Sequence, residues 1–185
     1  MPELDSQMTG TGGESMSARI LIAGIGNIFF GDDAFGVEVA RDLAQRGWPD
    51  GVRVVDFGTR SYDLAYALTE TYQAVILVDA VPRGEPPGTT YLMELDPGEL
   101  PKLDAEIPDA HNLTPVRALQ MAQALGGVRA KLFLVGCEPA VLETEDGQLK
   151  LSEPVQAAVP QAELVIAELI SDLLHSNELT ECRSL

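Results

Sequence analysis

Short apolar runs alternate along the chain with segments of helical spacing. Five runs have the length and continuous apolar character of buried strands. They are ARILIAG (18–24), VRVVDFG (52–58), AVILVDA (74–80), TTYLMEL (89–95) and KLFLVGC (131–137). The fourth follows the turn-rich VPRGEPPG, which is typical of an edge strand.

Helices are predicted between most of these strands. The spacing of apolar residues predicts helices over Asp33–Arg46 and Ser61–Leu68. Thr114-Pro115 is a helix start, ended at Gly126-Gly127. A last helix is predicted from about Pro160 to Leu174, with one apolar stripe that must dock on the sheet. Alternating β and α units predict an α/β fold: a three-layer α/β/α sandwich with a central, mostly parallel, twisted sheet of about five strands.

Length and composition predict one domain at residues 18–175, within a chain of 185 residues. Residues 1–17 are polar and Gly/Ser-rich, which predicts a disordered N-terminal tail, and residues 176–185 form a predicted C-terminal tail. The start lacks the basic and apolar parts of a signal peptide, so we expect a cytoplasmic protein. No heptad pattern or second apolar helix face is present, which favours a monomer.

The charge of the chain restricts its partners. A formal net charge of −17 disfavours nucleic acid and anionic membranes as partners, because phosphate binding requires a basic face. The two cysteines, Cys137 and Cys182, cannot form a disulfide framework and are interpreted as reduced thiols.

Acidic side chains stand where the predicted strands end. Asp33 follows the first strand, Asp56 ends the second and Asp79 ends the third, while His111 lies before a helix. Ligands of parallel sheets bind beyond the carboxyl ends of the strands. The architecture therefore predicts that several of these residues meet at one edge.

The segment GIGNIFFGDDAFG (24–36) has three interpretations. A dinucleotide loop is disfavoured, because Phe29 stands where the third glycine belongs and two aspartates would repel a pyrophosphate. A purely structural role is that Asp32 caps the following helix. A metal site is the third: Asp33, Asp79 and His111 would offer two carboxylates and an imidazole to a divalent cation such as Ni²⁺ or Zn²⁺.

The chain resembles the hydrogenase maturation endopeptidases in five motifs. They are GIGNIFFGDDAFG, DFGT (56–59), LVDA (77–80), the histidine of DAHNLTP, and LFLVGCEP (132–139). The resemblance implies an α/β fold and removal of a C-terminal peptide from the large-subunit precursor of a [NiFe] hydrogenase. Cleavage would follow insertion of nickel, which the precursor itself would bring.

The resemblance also implies site residues. Asp33, Asp79 and His111 match the positions that contact nickel, and Asp56 matches a further aspartate of the family, so these four are the expected catalytic residues. No nucleophile with its base is evident in the sequence, which favours metal-assisted hydrolysis. Two other classes stay open: a non-catalytic metal-binding maturation factor, and a small-molecule hydrolase with a resident metal.

Overall fold

The computed structural model describes residues 19–96, 115–142 and 149–181. In this part of the chain five strands form one sheet in the order β2-β1-β3-β5-β4. They are β1 (Ile20–Ile25), β2 (Val52–Gly58), β3 (Ala74–Ala80), β4 (Thr90–Leu95) and β5 (Lys131–Cys137). The first three and β5 run parallel, and β4 lies antiparallel to β5 at the edge. The predicted strands and the edge position of the fourth are confirmed.

Four α-helices flank the sheet within the described residues. They are α1 (Phe35–Ala44), α2 (Ser61–Leu68), α3 (Pro115–Leu125) and α4 (Glu153–Glu181). A 3-10 turn at Gly31–Ala34 precedes α1 and takes up residues predicted as the start of that helix.

The last helix starts earlier than predicted, at Glu153 rather than at about Pro160, which lies inside it. Proline has no N–H to donate within a helix, so the sequence pattern placed the helix start there. The helix continues through Pro160 because apolar residues on both sides, including Val155 and Ala162, are buried in one core cluster. Packing of the apolar stripe outweighs the local cost of the proline.

Alternate strand residues face opposite layers of helices. Ile20 and Ile22 belong to the core cluster that includes α1 and α4. Leu21 and Ala23 belong to the cluster that includes α2 and α3. Two buried layers of this kind form the α/β/α sandwich that was predicted.

The order of the strands creates a crevice between β1 and β3. β1 lies between β2 and β3, and the chain leaves β1 through α1 on one face and leaves β2 through α2 on the other. Such a switch point opens a crevice at the carboxyl ends of the strands. Helix α1 approaches this crevice closely, because a Cβ on Gly36 would lie only 2.0 Å from the Val78 carbonyl oxygen. Gly36 thus serves the close helix–sheet packing that a third glycine serves in a nucleotide loop.

The predictions that lie wholly or partly outside the described residues include the tail at 1–17, His111, Cys182 and the tail at 176–185. Helix α4 continues past its predicted end at Leu174 to Glu181 and so includes the first six residues of that tail. The domain boundaries stay a prediction. Across the described ranges, no helix is both long enough and apolar enough to cross a membrane.

Candidate active site

The glycines after β1 shape a tight turn that carries Asp33. Gly26 has a φ of 130°, and a Cβ there would lie 1.7 Å from the Asp33 carbonyl oxygen, so only glycine fits. The next backbone N–H, of Asn27, donates to Asp33 Oδ2 at 2.7 Å. The Asn27 side chain in turn accepts from the Phe29 N–H at 3.0 Å, an Asx turn. The turn thereby fixes the carboxylate of Asp33 at the crevice.

Asp79 lies beside Asp33 at the end of β3. Its side chain is buried, with 8% exposure, and its Oδ1 accepts the N–H of Ala80 at 3.0 Å. Burial raises the pKa of Asp79 well above its ordinary value, the negative charge of Asp33 raises it further, and the Ala80 hydrogen bond lowers it only partly. Two carboxylates held together in this way are stabilised by a cation or a proton.

The predicted third ligand, His111, lies outside the described residues. Among those the structure describes, no group of three or more His, Cys, Asp or Glu side chains is placed to hold a metal ion. The structure therefore brings Asp33 and Asp79 together, and the three-residue set stays a prediction.

Asp32 does not cap its own helix, so that prediction is wrong. Neither the 3-10 turn nor α1 has a side-chain hydrogen bond at its N-terminus. The Asp32 side chain is completely buried, and its Oδ2 accepts the N–H groups of Ala140 and Val141 at 2.8 and 2.9 Å. The Ser152 N–H donates to Oδ1 at 2.6 Å, and the Ser152 hydroxyl donates to Oδ2 at 2.9 Å. A local pattern predicted a local cap, but the donors that this carboxylate meets are distant in sequence.

Asp56 lines a cleft on the other side of β1. The cleft has a volume of about 410 Å³ and lies between residues 26–29 and 56–60. Asp56 forms an ion pair of 3.6 Å with Arg41 and is 37% exposed. Both Asp56 on β2 and Val78 on β3 pair with Gly24 of β1, the strand between them, which puts them two strand spacings apart, roughly 10 Å. Asp56 thus lies near the carboxylate pair but lines a cleft of its own. The sequence pattern places Asp56 and Asp79 alike at strand ends and does not predict this separation.

Cys137, the last residue of β5, and Glu138, which follows it, are both buried. Burial raises the pKa of the Cys137 thiol to about 12, with smaller contributions from the charges of Asp32 and Glu138. Within the described residues Cys137 is a free cysteine. Glu138 accepts the N–H groups of Arg83 and Gly84 at 2.7 and 3.1 Å. It therefore holds the segment that follows Asp79. No sequence pattern indicates this role of Glu138.

Comparison with known proteins identifies the family. The sequence profile described as hydrogenase maturation protease matches residues 37–169, more than half of the chain. The chain belongs to the hydrogenase maturation protease family. The family named from the five motifs is therefore confirmed, and with it the endopeptidase class.

Relatives of this protease family match most of the chain. A putative hydrogenase maturation protease of Methanocaldococcus jannaschii is 35% identical over 152 residues, covering 81% of this chain and 96% of its own. The hydrogenase expression/formation protein HupD of Rhodobacter capsulatus is 32% identical over 157 residues, covering 84% of this chain and 71% of its own.

Two solved structures share the fold. The hydrogenase maturating endopeptidase HybD from E. coli superposes with a TM-score of 0.71 at 29% identity, covering 83% of this chain and 93% of that one. The [NiFe] hydrogenase maturation protease HycI from Thermococcus kodakarensis superposes with a TM-score of 0.63 at 26% identity, covering 85% of this chain and 95% of that one.

Proposed function

We propose that this protein removes the C-terminal peptide from the large-subunit precursor of a [NiFe] hydrogenase after nickel has been inserted, and that it acts as a cytoplasmic monomer. The family supports the protease activity, and the solved relative from Thermococcus kodakarensis is a [NiFe] hydrogenase maturation protease by name. The observation that carries the nickel dependence is the pair of Asp33 and buried Asp79, in which each negative charge disfavours the other.

A divalent cation would relieve this repulsion. Carboxylate oxygens and an imidazole suit a borderline ion such as Ni²⁺, and we propose that Asp33, Asp79 and His111 contact it. Two carboxylates and one histidine leave further coordination positions open. The precursor would fill these, so that nickel arrives as part of the substrate and marks a large subunit that is ready for cleavage.

Metal-assisted hydrolysis agrees with the side chains near the site. Cys137 is buried and its pKa is raised to about 12, which makes it a poor nucleophile. Ser171 and His175 do contact each other, with Ser171 Oγ 3.4 Å from His175 Nδ1. They lie on α4, however, roughly 28–35 Å along the helix from Ser152, which precedes its first residue. Nickel brought by the substrate would polarise the scissile carbonyl or a bound water, and a carboxylate would accept a proton from the attacking water and pass it to the departing amine.

The cleft beside the carboxylate pair is suited to the precursor peptide. It shares Asn27 with the turn that orients Asp33, so the two features are continuous. Its lining combines apolar surface from Phe29 and Phe57 with the charged groups of Arg41 and Asp56. We propose that Asp56 contributes to catalysis by contacting the peptide in this cleft.

The test uses purified protein and a large-subunit precursor prepared with and without nickel. Mass spectrometry should show loss of a C-terminal peptide from the nickel-loaded precursor and no loss from the nickel-free one. Asp33→Asn protein serves as the inactive control. Cleavage of both precursors would contradict nickel dependence, and binding of the loaded precursor without cleavage would instead support the non-catalytic maturation factor.

A further inference from the structure

The side chain of Asp32 contacts segments distant in sequence, although it is the neighbour of Asp33. Its side chain is fully buried, and four hydrogen bonds reach its two oxygens. The backbone strengthens this connection, because the Asp32 N–H donates to the Val141 carbonyl at 3.0 Å. Asp32 is therefore tied to the rest of the protein through both its backbone and its side chain.

The donors come from two segments that are distant in sequence. Ala140 and Val141 follow β5, and Ser152 immediately precedes α4. The Ser152 carbonyl accepts the Gln156 N–H at 2.8 Å, so Ser152 is the N-cap residue of that helix. The Asp32 carboxylate thus lies at the positive end of α4, where a negative charge is favoured. One side chain joins the acidic turn, the end of β5 and the last helix.

The four donors require an acceptor with two oxygens. Three are backbone N–H groups and one is a hydroxyl, all of them neutral. A carboxylate accepts at both oxygens, whereas the amide of asparagine presents a donor at one of them. Asparagine at position 32 would place its NH₂ group against N–H donors, and buried donors without an acceptor are unfavourable.

Asp33 takes its orientation from the same 3-10 turn. Its N–H donates to the Phe30 carbonyl at 3.1 Å, and its carboxylate accepts the Asn27 N–H at 2.7 Å. Residues 32 and 33 are consecutive in a turn of four residues, so a rotation of one moves the other. We propose that Asp32 is a positioning residue: by binding Ala140, Val141 and Ser152 it fixes the carboxylate of Asp33 beside Asp79. Its effect on cleavage rests on the proposed function, but its effect on geometry does not.

Two measurements on Asp32→Asn test this role. Displacement of a catalytic group by about 1 Å can cost on the order of 100-fold in rate, so kcat for the nickel-loaded precursor should fall by about 10- to 100-fold with little change in KM. In a ¹⁵N–¹H spectrum the Asn27 amide signal should shift in the same direction as in Asp33→Asn, because that N–H donates to the Asp33 carboxylate. Ser152→Ala, which removes one of the four bonds, should give a smaller shift and a loss of a few-fold.

Ile170→Ala is the matched control. Ile170 is buried on α4 and belongs to the core cluster, so its truncation destabilises the protein without touching the acidic turn. Its kcat and its Asn27 signal should stay those of the wild type at a temperature where both variants are folded. The proposal is wrong if Asp32→Asn behaves like this control in both measurements.

The outcomes separate this proposal from the proposed function. If the wild-type protein cuts no precursor, the proposed function fails while the Asn27 signal still decides the positioning role. If Asp32→Asn does not fold, Ser152→Ala decides: an unmoved Asn27 signal in that variant contradicts the proposal, and a shifted one supports it.

Discussion

The carboxylate of Asp32 accepts both the backbone N–H and the hydroxyl of Ser152, 120 residues further along the chain, at 2.6 and 2.9 Å. Ser152 immediately precedes the last helix, so Asp32 stabilises the start of a helix other than its own. This relationship changes what a substitution at position 32 should do.

Asp32→Ala should destabilise the protein more than the loss of an exposed helix cap. Buried donors from Ala140, Val141 and Ser152 would lose their acceptor, and each unsatisfied buried group costs about 1–3 kcal/mol. We expect a loss of about 3 kcal/mol or more, which lowers the melting temperature by about 6–12 °C in a chain of this size. Thermal and urea denaturation measure it, with Asp42→Ala, an exposed position on α1, as the control. A loss near 1 kcal/mol, typical of a cap, would show that the four bonds contribute little.

Asp33→Asn, Asp79→Asn and His111→Ala should each lower the rate of precursor processing by at least about 100-fold, the contribution expected of a group that binds the metal or transfers the proton. Mass spectrometry of the precursor over time measures the rate. Asp42→Asn is the control, since it removes an exposed carboxylate from α1 and should retain full activity. If any of the three variants processes the precursor at the wild-type rate, the residue that it replaces does not belong to the catalytic site.

Asp79→Asn should also make the isolated protein more stable at neutral pH. Burial and the charge of Asp33 raise the pKa of folded Asp79, so the folded state holds this proton more tightly than the unfolded chain does. The resulting stability is fully present below the ordinary carboxyl pKa of about 3.9 and is lost as the pH rises through the raised value. The neutral amide avoids that loss. The stability of the variant relative to the wild type should therefore increase from pH 4 to pH 7 in metal-free buffer, as followed by thermal melts. An advantage that is equal at both pH values would contradict the raised pKa.

Cys137 should be unreactive in the native protein. Its thiol is buried and its pKa is raised to about 12, whereas alkylating reagents attack the thiolate. In a Cys182→Ser background, iodoacetamide should label Cys137 only after denaturation, and Cys137→Ala should process the precursor at the wild-type rate. Rapid labelling of the folded protein, or loss of processing in Cys137→Ala, would assign this cysteine a chemical role.

Much of the fold followed from the sequence. Continuous apolar runs such as ILIAG and AVILV can be buried only as central strands, and the turn-rich segment before Thr90 indicates the edge. Asp33 and Asp79 could be placed at one crevice because both lie at or just beyond the carboxyl ends of strands, and these ends meet in any sheet of this topology. These inferences depend on local periodicity and on chain order, which the sequence contains directly.

The division of roles between the two neighbouring aspartates depends on contacts between distant segments. In the sequence Asp32 and Asp33 are equivalent acidic residues before a helix, and the nearest donors are those of that helix. In the folded protein α1 packs so closely on β1 and β3 that the turn faces the crevice on one side and the start of α4 on the other. The donors for Asp32 lie more than 100 residues away, and no local pattern encodes such a contact. Local periodicity and chain order therefore establish which residues reach this edge of the sheet. Long-range packing determines that Asp32 is buried as a support and that Asp33 is left beside Asp79.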